Sequence, residues 1–234
     1  MTHLRNTLLL QFLLLFMVAP AQDAARYRTP PRDIMDLVLA RPTPSVAVDD
    51  KARWMLLLER SDFPSIEELA QPELRIAGLR INPGNFSPSR TAHFSGLRLR
   101  EVATGREYTF TGLPEPLRLS NLQWSPDQTR IAFLHTGTNA VDLFVASLSD
   151  RSAKKVNVQP LNTVLGTAFL WTARNELIYK TVLPGAALDA RPPAPSGPVV
   201  QENAGRPVAS RTYQDLIRNS YEEALFAFYG MAQL

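Results

Sequence analysis

The feature that most constrains this chain is a recurring unit, in which an apolar strand, a short polar turn and a second apolar strand follow one another. Its clearest copy is LSNLQWSPDQTRIAFLHT: Trp124 closes one strand, Ser125-Pro126-Asp127 turns the chain, and Ile131-Ala132-Phe133 opens the next. Proline presets φ for such a turn and aspartate bonds the nearby backbone, so the tripeptide is structural. Weaker copies surround Asp49-Asp50-Lys51 and Trp171-Thr172-Ala173. Trp124 and Trp171 lie 47 positions apart, close to the roughly 40–50 residues per blade of propeller repeats. Asp50 to Asp127 spans 77, which suits a blade carrying an insertion. A unit that cannot bury both faces alone must stack on its neighbours. The pattern therefore predicts an all-β chain forming a partial β-propeller, about three to four blades of four-stranded antiparallel sheets, with a two-sheet sandwich as the competing architecture.

Between the copies, SVAVDDKARWMLLLER predicts strand, turn, strand. An insertion follows, in which Ser65 and Glu68 have capping-box spacing ahead of a short helix that Pro72 stops, and LRIAGLRI has the apolar character of one further strand. NPGNFSPSRTAHF is rich in turn formers and predicts a surface loop. LRLREVATGREYTF predicts a hairpin turning at Ala103-Thr104-Gly105, and VDLFVASLSDRSAKKV another. Beyond Thr181 the chain becomes dense in Pro, Gly and Ala, as a long loop would be. It ends in TYQDLIRNSYEEALFAFYG, whose Tyr213, Leu216, Ile217, Tyr221 and Leu225 have helical spacing.

The first residues have a different character. Arg5, the apolar stretch from Leu8 to Val18, and the small residues Ala19 and Ala21 have the layout of a secretory signal peptide cleaved between Ala21 and Gln22. A membrane anchor is the rival, but about a dozen apolar residues fall short of the roughly 20 that span a bilayer. The expected organisation is a signal peptide at 1–21, an N-terminal arm at 22–44 with a turn of helix presenting Ile34, Leu37 and Val38, a partial propeller at 45–229 and a tail at 230–234. Such a protein would be exported, to a periplasm or beyond, with no stable membrane anchor after cleavage.

The same residues exclude several chemistries. With no cysteine there is no disulfide framework, thiolate metal site or cysteine nucleophile. Arginines are interspersed with acids and form no run of like charge, which argues against nucleic acid as a partner. No phosphate-binding glycine loop is present, and His93 and His135 have no metal-ligand spacing, so no cofactor and no metal are expected. Gly-x-Ser-x-Gly is also absent, so no catalytic residue is assigned. Trp124 is expected to pack between blades rather than to serve as a ligand platform.

WSPDQTRIAFL followed by DLFVASL resembles the blades of the prolyl oligopeptidase family of serine peptidases. RYRTPPRDIMDLVLARPTPSVAV, LLLERSDFPSIEELAQPELRIAGLRINP, LNTVLGTAFLW and SGPVVQENAGRPVASRTYQDL, in that order, are similar to its glutamyl-endopeptidase-like branch. Gln128 departs from the pattern, since blade turns usually have glycine there. The resemblance implies a propeller that caps an α/β-hydrolase domain and gates peptide substrates, in a chain that stops before the catalytic residues and is inactive alone. A frameshift or premature stop is an alternative account of that ending. Glu202, Arg206 and Arg211 bring charge into a proline-rich loop and are the candidate substrate contacts, with a bridge between blades as the other role for that loop. A free-standing small propeller that binds a cell-envelope partner is the competing function, and the oligomeric state is open.

Overall fold

Three turns of one geometry organise the chain in the computed structural model, which describes residues 29–60, 63–185, 191–193 and 215–234. Each turn opens with a side-chain oxygen that accepts the backbone N–H groups closing it. Asp49 Oδ1 accepts from Arg53 at 2.6 Å and Trp54 at 2.7 Å, Ser125 Oγ from Arg130 at 3.0 Å, and Thr172 Oγ1 from Arg174 and Glu176 at 3.2 Å each. One residue in each turn has positive φ: Ala52 at 50°, Gln128 at 59° and Asn175 at 62°. The repeat visible in the sequence is therefore a repeat of backbone geometry.

The strands flanking these turns form three stacked sheets, all with antiparallel pairing. Sheet I runs in the order β1 (Ser45–Val48), β2 (Trp54–Glu59), β6 (Gly96–Glu101), β7 (Glu107–Thr109). Sheet II is a meander of β8 (Leu119–Trp124), β9 (Arg130–Thr136), β10 (Val141–Ser147) and β11 (Ser152–Lys155), and sheet III pairs β12 (Phe169–Trp171) with β13 (Leu177–Tyr179). A smaller sheet of β3 (Leu74–Ile76), β4 (Leu79–Asn82) and β5 (Ser87–Pro88) is inserted between β2 and β6.

Sheet II is covered on both faces, which is why β9 reads as an unbroken apolar run. Ile131 and Phe133 join Leu56, Leu99 and Phe144 between sheets I and II, while Ala132 and Leu134 join Val141, Leu143 and Phe169 between sheets II and III. Each fully buried leucine or phenylalanine contributes about 1.5–3 kcal/mol, so these two layers hold the stack together. Trp124 and Trp171 pack against these clusters, as a blade-packing role requires. This is the all-β architecture of a partial propeller: two four-stranded antiparallel sheets and a two-stranded one stacked face to face, with few helices.

Backbone contacts also lock sheet I to sheet II. Thr111 N–H donates to the Arg151 carbonyl at 2.9 Å, and Ala153 N–H donates to the Thr111 carbonyl at 2.8 Å. The Arg151 guanidinium lies 3.7 Å from the Tyr108 ring centroid. Gly112, at φ 74°, has no room for a side chain, because a Cβ there would stand 2.4 Å from the Ala153 oxygen.

Three local expectations need correction. Residues 74–82 form a hairpin rather than one strand: Ala77 and Gly78 have φ of 51° and 74°, the two-residue turn that matches strand twist, and Ile76 pairs with Leu79. Residues 82–94 are not merely a surface loop, since Asn82, Asn85, Phe86 and Ser87 are buried and β5 lies within them. The C-terminal helix, α3 (Ser220–Gly230), starts later than its apolar spacing suggests. The Asn219 side chain caps it by accepting Glu222 N–H at 2.9 Å, and Asp215, at φ 58°, has left-handed rather than helical backbone. Leu216 and Ile217 are exposed, and Tyr213 lies outside the described residues.

The chain divides into two compact units, residues 1–40 and 41–234. In the first, α1 (Arg32–Val38) forms where the helical turn is expected, with Ile34, Leu37 and Val38 exposed. Ala21 and Gln22, the expected cleavage point, lie outside the described residues.

Replacing Gly112 with alanine is expected to lower stability by more than ~1 kcal/mol, since the new methyl group meets backbone at a positive φ. Urea unfolding midpoints of the two proteins measure this, and equal midpoints would mean that sheets I and II do not meet there.

Candidate functional site

The insertion between β2 and β6 builds one wall of a cleft against the blades. It begins with α2 (Ile66–Leu69), where the expected capping box is complete: Glu68 N–H donates to Ser65 Oγ at 3.1 Å, and Ser65 N–H donates to Glu68 Oε2 at 3.0 Å. Glu73 then fastens the hairpin. Its carboxylate accepts from Ser89 Oγ at 2.6 Å and from Arg75 and Arg80 at 2.9 Å each, with Arg90 3.8 Å away. The Ser89 hydrogen bond, then the one from Arg75, with further help from Arg90 and Arg80, hold the carboxyl down at about 2, against an ordinary 4.5.

Buried amides tie the insertion to the blades. Asn85 Nδ2 donates to the Gly137 carbonyl at 2.8 Å, and its Oδ1 accepts Ser87 Oγ at 2.6 Å. Thr163 N–H donates to the Phe86 carbonyl at 2.9 Å. On the far side, α3 buries Leu225 and Tyr229 against Ile76, Ile81 and Phe86. Asn162 Nδ2 donates to the Tyr229 and Met231 carbonyls at 2.8 Å each, satisfying oxygens that the helix end leaves open.

Between the insertion and the segments 116–118 and 136–137 lies a cleft of about 710 Å³. Its most enclosed charged group is Arg118, whose Nε is 3.8 Å from Glu68 Oε1, and the same oxygen is 3.5 Å from His93 Nδ1. Arg60, Arg90, Phe63, Leu69 and Leu117 also line it. Behind the wall, Arg118 N–H donates to His135 Nδ1 at 3.3 Å. Burial, with the charges of Arg118 and His93, lowers the His135 pKa, while Asp142 opposes the shift. His135 is accordingly a neutral acceptor that positions the Arg118 backbone.

The cleft has the dimensions and the mixture of apolar and polar lining of a ligand site, and its cations outnumber its acids. The Ser65 hydroxyl caps α2, and the group beside the imidazole of His93 is the Glu68 carboxylate rather than a serine. Among the described residues no group of three or more His, Asp or Glu side chains could hold a metal, and no helix is long and apolar enough to cross a membrane.

The candidate substrate contacts Glu202, Arg206 and Arg211 lie outside the described residues. Sequence reasoning found α2 but missed the cleft. No local motif announces that His93 and Arg118, 25 positions apart, share Glu68.

No protein-family model matches the chain. It is 30% identical over 223 residues to a probable chloroplastic glutamyl endopeptidase of Oryza sativa subsp. japonica, covering 89% of this chain and 24% of that protein. A protein of the same description from Arabidopsis thaliana is 29% identical over 222 residues, covering 89% and 23%. The chain thus spans about a quarter of the length of the curated relatives it matches. The crystal structure of a putative dipeptidyl aminopeptidase IV from Bacteroides ovatus matches 58% of this chain and 20% of that one, at a TM-score of 0.35 and 12% identity.

Two acid-sensitive steps are expected in stability. Glu73 titrates lower in the folded chain than in the unfolded one, so its contribution is complete above about 4.5 and is lost as pH falls towards 2. His135 also has a lowered folded pKa, so the folded chain takes up its proton less readily and stability declines as pH drops through 6.5, the ordinary imidazole value. Urea midpoints followed against pH should fall in both windows, and Glu73→Gln should flatten only the lower one. A wild-type profile parallel to that of the variant below pH 4.5 would refute the role of Glu73.

Proposed function

We propose that this chain, a propeller portion of the prolyl oligopeptidase type of peptidase in its glutamyl endopeptidase branch, acts as the substrate-gating part of an exported serine peptidase and has no hydrolytic activity alone. The observation that carries the reading is the similarity to probable glutamyl endopeptidases along 89% of the chain. It is supported by stacked sheets with no nucleophile motif and by a cleft whose lining suits an extended polar chain. On this reading Arg118 and His93, held by Glu68, meet peptide on its way to a hydrolase centre whose serine, acid and histidine are not among these residues. Glu202, Arg206 and Arg211 remain proposed as further contacts from the proline-rich loop.

Export rests on the leader layout around Leu8 to Ala21. Protein recovered from outside the cytoplasm is expected to begin at Gln22 by N-terminal mass spectrometry, and a chain retaining Met1 there would contradict cleavage. The purified chain is expected to show no turnover of glutamyl or prolyl peptide substrates above buffer. Turnover that survives repeated purification would overturn the claim that the gate carries no chemistry of its own.

A further inference from the structure

The two basic residues that share Glu68 are fixed to the blades by backbone. Phe94 and Leu119 form an antiparallel bridge, with Phe94 N–H donating to the Leu119 carbonyl at 2.8 Å and Leu119 N–H donating to the Phe94 carbonyl at 3.0 Å. His93 and Arg118 each stand one residue before a member of that bridge. Arg118 is held a second time, because its N–H donates to His135 Nδ1 at 3.3 Å and its carbonyl accepts Thr136 N–H at 3.0 Å.

The carboxylate between them comes from an element of another kind. No residue of α2 is buried, and among the described residues none from 63 to 72 joins a hydrophobic cluster. Arg90 Nη2, 3.4 Å from the Leu69 carbonyl, ties α2 to the insertion itself rather than to the blades. Glu68 does reach the blades, by dividing its oxygens. Oε2 accepts Ser65 N–H within the capping box, while Oε1 lies 3.5 Å from His93 Nδ1 and 3.8 Å from Arg118 Nε.

The strength of that link depends on a proton. With His93 protonated, Oε1 faces two cations; with His93 neutral, it faces one. Arg60 and Arg90 also line the cleft, and Arg90 is 3.8 Å from Glu73. Behind the wall, burial lowers the His135 pKa, Arg118 and His93 add to the shift and Asp142 opposes it, so charge is disfavoured on this second imidazole.

We propose that α2 is a latch over the cleft, held closed through Glu68 when His93 is protonated and loosened when His93 is neutral. A second positive charge beside Oε1 adds attraction, so closure is favoured at low pH and weakens as pH rises. The latch is independent of the peptidase reading, since it needs only contacts within this chain and operates whatever enters the cleft.

Because the chain has no cysteine, nitroxide labels can be attached at Glu67→Cys on α2 and Asn139→Cys between β9 and β10, both exposed positions. Pulsed electron resonance on the full chain then reads the distance between α2 and the blades. The ratio of open to compact populations should rise roughly two- to fivefold from about pH 5.5 to about pH 8, the range in which imidazole changes charge and the size expected of a partly exposed ion pair. Added to the labelled chain, His93→Gln should keep the high-pH ratio throughout. Glu68→Gln can still complete the capping box but carries no charge, and should be more open than the wild type at both pH values. His93→Asn is the second variant should His93→Gln melt below the wild type. Equal ratios at the two pH values in the wild type overturn the proposal, as does a pH dependence that survives in the His93 variants or a Glu68→Gln chain as compact as the wild type.

Discussion

The stack depends on a ladder of turns at one end of the sheets, each reaching its neighbour through a side-chain amide. Asp50 N–H donates to Gln128 Oε1 at 3.1 Å, and Gln128 Nε2 donates to the Ser125 carbonyl at 3.1 Å. The next turn repeats the device, with Asp127 N–H donating to Asn175 Oδ1 at 3.1 Å and Arg130 donating to the Asn175 carbonyl at 3.2 Å. Both amides belong to residues at positive φ, where glycine would be easier on the backbone but could not reach across. The buried Gln128 amide finds partners on both its oxygen and its nitrogen this way, where an unpaired buried amide would cost about 1–3 kcal/mol. Gln128 is thus a solution to stacking rather than a defect in a glycine turn.

From that ladder the rest follows. Turns at fixed spacing align the sheets, aligned sheets bury both faces of β9 and β10, and the closed core gives the insertion a firm base. The insertion is polar where it meets the blades, through Asn85 and Gly137, and apolar where it meets α3, through Phe86 and Tyr229. The Phe86 and Tyr229 rings lie 5.1 Å apart. Held on two sides, it overhangs the 116–118 segment and leaves the cleft in which one carboxylate, Glu68, serves an arginine and a histidine.

Much of this was legible in the sequence because it is local. Strand alternation around Trp124, the turn chemistry of Ser125-Pro126-Asp127 and the capping box at Ser65 each act within a few residues, and all recur in the fold. The misreadings came where a left-handed residue or a cap overrides apolar spacing, or where a distant partner decides. LRIAGLRI became a hairpin because Ala77 accepts a left-handed conformation beside Gly78, and NPGNFSP became partly buried because Gly137 and Thr163 receive it. The helical spacing before Ser220 did not extend α3, since Asn219 caps it first. The candidate site was hidden because distant partners make it. Its charged residues come from α2, the segment before β6 and the segment before β8, which only the folded insertion brings together.

The central claim is that stacked turns, not strand pairing alone, align the sheets, and amide hydrogen exchange at Asp50 and Asp127 tests it most directly. Asp50 is exposed at its turn, so without the ladder its amide should exchange as fast as a loop. The account predicts slow exchange at both, with Gln128→Gly releasing Asp50 and Asn175→Gly releasing Asp127. Loop-like exchange at both amides in the wild-type protein would contradict it.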